Sequence, residues 1–293
     1  MNLKAYLRRA ARVILDHAPQ LGRIRGTGLG QWLSSGQQAE RILIDGDIQL
    51  EIDLSIVTCR ALYFVPGEIC AEEIALFKRV LSPQDGVVDV GANFGYVSLI
   101  AAKYAGRVIA CEPSAETQKA LAHNLALNPT LQAKINNLRM GLSDKPGTLT
   151  LFRPTSRPGE ASLRAVGRPD EQAEVVPMDT LDHVCGNQRI RLIKIDVEGA
   201  ELDVLRGGLN TLRSSQPHIL IELFEPHQKR FNRSVADIVT YLTDLGYAGR
   251  LIAGVQHGML KFEPLVMDEL VSCQEIRNAL FVRREDESIF AQP

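Results

Sequence analysis

The chain has few cysteines, no long apolar run and almost no net charge. Its five cysteines are widely spaced and include no C-x-x-C pair, which disfavours a disulfide framework or a zinc site. We therefore expect a reducing, cytoplasmic location. No apolar run reaches the ~20 residues of a membrane-spanning helix. With 33 basic and 35 acidic residues, the chain lacks a global field for nucleic acid, which is not expected as a partner.

The length and composition predict one large α/β core with an appendage. The chain has 293 residues, of which 45% are hydrophobic, and we predict an N-terminal extension at residues 1–58 and a single domain at 59–293. Residues 3–15 carry apolar and basic side chains on opposite faces of a predicted amphipathic helix. This helix docks on its own domain or on a partner subunit, or alternatively lies on the inner face of a membrane. Alternating apolar residues in 41–52, around a central Asp-Gly turn, predict a β-hairpin.

One stretch predicts a buried strand, a glycine turn and a helix in succession. Val87–Val90 is apolar on both faces, except for Asp89, and Gly91-Ala92-Asn93-Phe94-Gly95 follows directly. A dinucleotide-binding turn places a second glycine where this chain has Asn93, because the backbone there must touch a pyrophosphate. S-adenosylmethionine has no phosphate and tolerates a bulkier turn. Asp89 then suits its ammonium or sulfonium group. A nicotinamide-dependent oxidoreductase is the alternative enzyme.

A second acidic residue supports a nucleoside pocket. Glu112 lies 21 residues after Gly91 and ends the next predicted strand, immediately before Pro113. A carboxylate at this place can accept hydrogen bonds from both ribose hydroxyls. A third strand is predicted at 135–142, followed by a hairpin through 148–152, so that Gly141, Leu142 and Ser143 form a wall near the adenine. Residues 153–173 have no periodicity and are predicted to be a lid or a disordered loop.

Polar side chains also cluster after two later strands. Lys194, Asp196, Glu198 and Glu201 surround the end of one predicted strand, and Glu222, Glu225 and His227 follow the next. Open α/β sheets bind ligands at such strand ends, and one of these groups can act as a general base. Two alternatives remain. Glu198 and Glu201 can cap a helix while Lys194 only forms an ion pair, or Asp196, Glu198, Glu222 and His227 can hold a divalent cation. We expect no metal.

Several motifs together resemble the FkbM-type family of S-adenosylmethionine-dependent methyltransferases. The resemblance covers about residues 60–250 and rests on the following segments: VVDVGANFGYVSLIAA, ACEPSAE, HNLALN, VVPMDTLD, LIKIDVEGAELDVLRGG and HILIELFEPH. It implies a Rossmann-like class I methyltransferase fold, with a seven-stranded, mostly parallel sheet and helices on both faces.

The resemblance also implies a function. It implies O-methylation of a hydroxyl on a sugar, glycan, glycolipid or polyketide-like acceptor. The cofactor-binding candidates are Asp89, Gly91, Ala92, Asn93, Gly95, Glu112, Pro113, Ser143 and Asp196. The catalytic candidates are Lys194, Asp196, Glu198, Glu222 and His227, with Asp196 nearest the methyl group and Glu198, Glu222 or His227 as the proton acceptor. A non-catalytic cofactor-binding scaffold is the non-enzymatic alternative.

Overall fold

The computed structural model describes residues 39–155 and 161–291. The amphipathic helix predicted at residues 3–15 lies outside this range. Thirteen strands, β1 to β13, have the following bounds: β1 Ala39–Ile44, β2 Ile48–Asp53, β3 Gly86–Val90, β4 Arg107–Cys111, β5 Ile135–Leu138, β6 Gly141–Leu142, β7 Gly147–Pro154, β8 Glu171–Asp179, β9 Leu192–Ile195, β10 His218–Leu223, β11 Tyr247–Gln256, β12 Met259–Pro264 and β13 Arg277–Arg283.

The helices, numbered α1 to α12, alternate with the central strands. Their bounds are α1 Val57–Phe64, α2 Pro66–Ile69, α3 Ala71–Val80, α4 Tyr96–Tyr104, α5 Ala115–Ala126, α6 Pro129–Gln132, α7 Leu181–Cys185, α8 Glu201–Arg206, α9 Leu209–Ser214, α10 Glu225–Arg230, α11 Val235–Asp244 and α12 Met267–Ser272, and a 3-10 helix follows at Arg284–Phe290. In the described part of the chain, no helix combines the length and the apolar character needed to cross a membrane.

The main sheet confirms the predicted Rossmann-like fold but has eight strands, one more than predicted. Their order is β12-β11-β13-β10-β9-β3-β4-β5. The five strands from β10 to β5 in this order pair in parallel, and β13, β11 and β12 add antiparallel pairings. The additional strand is β12. A tight turn at His257-Gly258, where both residues have positive φ, folds it back on β11.

Apolar side chains cover both faces of this sheet. Along β3, Val87 packs into a core shared with the hairpin, α1, α3 and α4. Its neighbour Val88 points the other way, into a core shared with α8, α9 and α11. This alternation is expected of a strand buried between two helical layers. The predicted α/β layering with helices on both faces is therefore confirmed.

A separate sheet of three strands corrects two predictions. The predicted third strand at 135–142 is divided into β5 and β6, and β6 pairs with β8 outside the main sheet. β7 pairs with β8 along its whole length, so that residues 171–173, predicted to be loop, belong to a strand. Local periodicity missed β8 because its first half is polar and mostly exposed and because it pairs with a distant segment of the chain, from Pro154 opposite Glu171 to Gly147 opposite Met178.

The predicted hairpin, β1 paired with β2, is fixed to the domain by two asparagines of α5 and the turn after it. Asn124 Oδ1 accepts the Glu51 backbone N–H at 2.8 Å, and Asn124 Nδ2 donates to the Phe94 carbonyl. Asn128 accepts from and donates to the Gln49 backbone, at 2.9 and 2.7 Å. The HNLALN segment therefore has a structural role in joining the hairpin to the α4 side of the core.

Removing one of these asparagines should destabilise the domain. Asn124→Ala leaves the Glu51 N–H and the Phe94 carbonyl without their partner, and we expect a loss of about 1–3 kcal/mol in the free energy of unfolding. Urea unfolding measures this. Asn187→Ala, at an exposed turn, is the matched control and should change stability by less than about 0.5 kcal/mol. Equal stability of the two variants would contradict the anchoring role.

Candidate active site at the carboxyl ends of the central strands

A cavity of about 350 Å³ opens where the central parallel strands end, a size within the usual range for ligand sites. Strands β3, β4, β9 and β10 supply its floor, and the three-stranded sheet forms one wall. Its lining includes eleven residues that the sequence pointed to: Gly91, Ala92, Asn93, Glu112, Pro113, Gly141, Leu142, Lys194, Asp196, Glu198 and Glu222.

The turn after β3 brings two strand ends into backbone contact. Gly91 has φ of +84°, and a Cβ there would lie 1.9 Å from the Asp196 carbonyl oxygen. Its N–H and that of Ala92 both donate to the Cys111 carbonyl at 3.0 Å. Only glycine allows this conformation together with this approach. The ends of β3, β4 and β9 therefore meet at one point.

The next residue of the turn orients the acid predicted to bind ribose. Asn93 adopts a left-handed conformation with φ of +50°, which is uncommon outside glycine but tolerated by asparagine. Its N–H donates to Glu112 Oε2 at 3.0 Å, and the Ser114 N–H donates to Oε1 at 2.9 Å. Burial raises the pKa of Glu112 to about 7. Each carboxyl oxygen keeps a lone pair for a further donor.

Three of the nine cofactor candidates lie behind the cavity wall. Asp89 is fully buried and accepts a hydrogen bond from Ser98 Oγ. Gly95 precedes α4 with φ of +93°, and the Ser143 N–H donates to the Asp179 carbonyl at 2.9 Å. None of the three lines the cavity in the described structure. They shape the loops that hold the six candidates that do line it.

The other end of the cavity holds a buried ion pair. Lys194 Nζ lies 2.7 Å from Asp196 Oδ2, and the lysine side chain is 8% exposed. Burial alone would lower the pKa of Lys194, but the charges of Asp196, Asp89 and Glu73 raise it above its ordinary value. The ammonium group therefore stays charged and neutralises the carboxylates around it.

A cluster of two glutamates and one histidine lies beside this ion pair. His227 Nε2 lies 3.0 Å from Glu198 Oε2, and His227 Nδ1 lies 3.8 Å from Glu222 Oε1. Burial, followed by the negative charges of Asp196, Glu198 and Glu201, raises the pKa of Glu222 well above its ordinary value. Four of the five catalytic candidates line the cavity, and His227 lies directly behind the two glutamates.

The loop that carries Glu198 is held in a strained form. Glu198 has φ of +57°, which is rare for a glutamate and costs free energy that the surrounding contacts must offset. Gly199, with φ of +114°, packs against Phe231, whose ring would lie 2.5 Å from a Cβ. Glu201 accepts the N–H groups of Val197 and Gly199 at 3.2 Å. Of the two glutamates that the sequence allowed as helix caps, Glu201 therefore has the capping role, whereas Glu198 faces the cavity.

Some residues at the site were not predicted from the sequence. Tyr96 lines the cavity, and its hydroxyl lies 3.4 Å from the buried Glu73, whose pKa burial raises to about 7. Ser162 Oγ donates to the Glu198 carbonyl at 3.0 Å, so the segment predicted as a loop reaches the acid cluster. The YVSLIAA periodicity identified Tyr96 only as a helix residue, and no sequence signal pointed to Ser162.

Comparison with known proteins identifies the family. The Methyltransferase FkbM domain matches residues 89–248, which is more than half of the chain. The chain belongs to the FkbM methyltransferase family. Its cofactor is S-adenosylmethionine, as predicted from the glycine turn. Membership of a methyltransferase family argues against the alternative of a nicotinamide-dependent oxidoreductase.

Individual relatives are more distant. Methyltransferase sdnD of Sordaria araneosa is 31% identical over 175 residues, which cover 48% of this chain and 66% of the relative. Hexuronic acid methyltransferase AglP of Haloferax volcanii is 29% identical over 141 residues, covering 48% of this chain and 57% of the relative. The chain thus spans less than two thirds of either. A solved FkbM methyltransferase from Methylobacillus flagellatus aligns with a TM-score of 0.45 at 15% identity, over 76% of this chain and 54% of that one.

The residues at the Gly91 end fit this cofactor. Glu112 is a fixed carboxylate with lone pairs toward the cavity, as two ribose hydroxyls require. The wall beside it, formed by Leu142, Leu151 and Met178, is apolar and suits a purine ring. We therefore expect the nucleoside at this end and the sulfonium toward Asp196.

Replacing Glu112 should weaken cofactor binding more than it weakens the fold. Glu112→Ala removes the acceptor for the ribose hydroxyls, and we expect affinity to fall by about 1–3 kcal/mol. Calorimetry with S-adenosylmethionine measures this, and the melting temperature is recorded alongside. Glu116→Ala, an exposed acid in α5, is the control and should bind normally. An unchanged affinity of Glu112→Ala for S-adenosylmethionine would show that Glu112 does not bind the cofactor.

Proposed function

We propose that the protein is an O-methyltransferase that acts on a hydroxyl group of a sugar, glycan, glycolipid or polyketide-like acceptor. One observation carries the proposal: Asp196, Glu198 and Glu222 face the same cavity at the end away from Glu112. With the ribose at Glu112, an acceptor placed there would be on the far side of the sulfonium. In-line transfer requires its oxygen to lie on the line from the sulfur through the methyl carbon. Family membership alone leaves the accepting atom open.

The carboxylates can supply the general base that a hydroxyl acceptor needs. An alcohol is a poor nucleophile until its proton is removed. Bound S-adenosylmethionine supplies an electrophilic methyl group on sulfur. As the O–CH₃ bond forms and the S–CH₃ bond breaks, the hydroxyl proton passes to a carboxylate of the protein. Glu222 suits this role because its raised pKa makes it a stronger base than an ordinary glutamate.

Arg164, which follows the cavity-lining residue Leu163, supports a polar acceptor. The Arg164 guanidinium lies 5.1 Å from the centre of the Phe231 ring, close to the Gly199 turn, and its charge suits an anionic sugar. AglP is named a hexuronic acid methyltransferase, which is consistent with such an acceptor. The intact carboxylate cluster disfavours the scaffold alternative. A cytoplasmic location, the absence of a nucleic-acid partner and membrane contact through residues 3–15 all remain predictions.

Loss of the Glu222 carboxylate should lower turnover without loss of cofactor binding. For Glu222→Gln we expect kcat to fall by about 10²–10⁴. The assay transfers a labelled methyl group to a panel of uronic-acid and neutral glycans, and proton NMR identifies the methyl ether. Glu263→Gln, an exposed acid paired with Arg277, is the control. Full activity of Glu222→Gln, or product methylated on nitrogen or carbon, would refute the proposal.

The rate should also depend on pH in a defined direction. Because the pKa of Glu222 is raised, its basic form is lost on acidification at a higher pH than that of an ordinary glutamate. We expect kcat/KM to decline as the pH falls, beginning well above pH 4.5, the ordinary value. A profile measured from pH 5 to 9 tests this. A rate that stays constant across the acidic half of that range would contradict the assignment.

A further inference from the structure

The acid and histidine cluster has the composition of a metal site. Glu198, Glu222 and His227 each offer one ligand atom, and these three atoms lie within 4.8 Å of one another. Glu198 belongs to the turn after β9, Glu222 to the end of β10, and His227 to α10, which begins two residues after β10. Three segments thus converge on one point beside the cavity.

The state of His227 is the second observation. Its side chain is 8% exposed, and within the described residues its Nδ1 atom has no hydrogen-bond partner. That atom points toward Glu222 Oε1 at 3.8 Å, which is too far for a hydrogen bond. A buried ring nitrogen without a partner is unfavourable. A cation between the imidazole and the carboxylate would satisfy both groups at once.

The charge balance favours the same conclusion. Asp196, Glu198 and Glu222 bring three carboxylates to one side of the cavity, while the nearby Lys194 ammonium is held against Asp196 at 2.7 Å. Among the described residues, the ion pair recorded for Glu222 is the one with His227. The competing explanation is a protonated His227 that forms ion pairs with both glutamates, and it predicts no metal affinity.

We infer that Glu198, Glu222 and His227 bind one divalent transition-metal ion, for which Mn²⁺ is the probe. One nitrogen and two carboxylate oxygens suit such an ion better than Mg²⁺ or Ca²⁺, which prefer oxygen ligands throughout. The role of the ion in catalysis rests on the proposed function. An acceptor hydroxyl that also binds the ion becomes more acidic. Its proton then passes to the Glu222 carboxyl oxygen that does not hold the ion, since each residue offers the ion one atom; the acceptor oxygen takes the methyl group, and the sulfur keeps the electron pair of the broken S–CH₃ bond.

Metal binding can be measured without donor or acceptor. Titration of the full-length protein with Mn²⁺, followed by the electron paramagnetic resonance signal of the free ion, should give one site per chain. We expect Glu222→Gln and His227→Gln to weaken binding at least tenfold. His183→Gln is the matched control, because His183 also pairs with a carboxylate, Asp179 at 2.6 Å, but is exposed and does not line the cavity.

A second measurement covers the case in which a variant fails to fold. Electron spin echo modulation of Mn²⁺ bound to the unaltered protein should show coupling to one imidazole nitrogen. Absence of a Mn²⁺ site, absence of nitrogen coupling, or equal binding in folded Glu222→Gln and His227→Gln overturns the inference. Full turnover after removal of metal by a chelator overturns the role of the ion but leaves O-methylation standing. Mn²⁺ binding without methylation of any hydroxyl refutes the proposed function instead.

Discussion

The backbone contact between Gly91 and Asp196 is the constraint on which the site depends. Because a Cβ at position 91 would lie 1.9 Å from the Asp196 carbonyl oxygen, the ends of β3 and β9 approach as closely as two chains can. The Asp196 N–H donates to the Val90 carbonyl at 3.0 Å, which continues the parallel pairing to the edge of the cavity. The glycine turn and the loop that carries the acid cluster are therefore joined directly at the ends of β3 and β9.

Each of these two loops contains a strained residue. Asn93 and Glu198 both have positive φ, each in the loop after a central strand. The first aims its N–H at Glu112, and the second carries its carboxylate to His227. The hydrogen bonds that Glu201 accepts from the Val197 and Gly199 N–H groups stabilise the second loop. Strain of this kind is commonly retained where function needs an unusual backbone, and here it occurs both at the end proposed for the nucleoside and at the end proposed for the acceptor.

The sequence predicted what local patterns encode. The β3 strand, its glycine turn and the position of Glu112 depend on neighbouring residues, and each is present. β12 pairs with β11 across the short His257-Gly258 turn, but its side chains are mostly exposed or half-buried and gave no clear alternation. The pairing of β7 with β8 depends on distant segments, which no short window reveals. The same holds for side-chain partners. The DVEGAE motif indicated an acid cluster, but only the fold separates Glu201, which caps a loop, from Glu198, which faces the cavity. The hydrogen bond from Ser162 to Glu198 joins residues 36 positions apart and had no local signal.

A crystal structure with S-adenosylhomocysteine tests the central claim most directly, because that claim concerns which end of the cavity holds which group. The account predicts both ribose hydroxyls within about 2.6–3.2 Å of the Glu112 carboxyl oxygens, the adenine against Leu142 and Met178, and the sulfur facing Asp196 and Glu222. A nucleoside bound elsewhere, or a sulfur turned away from these carboxylates, would contradict it.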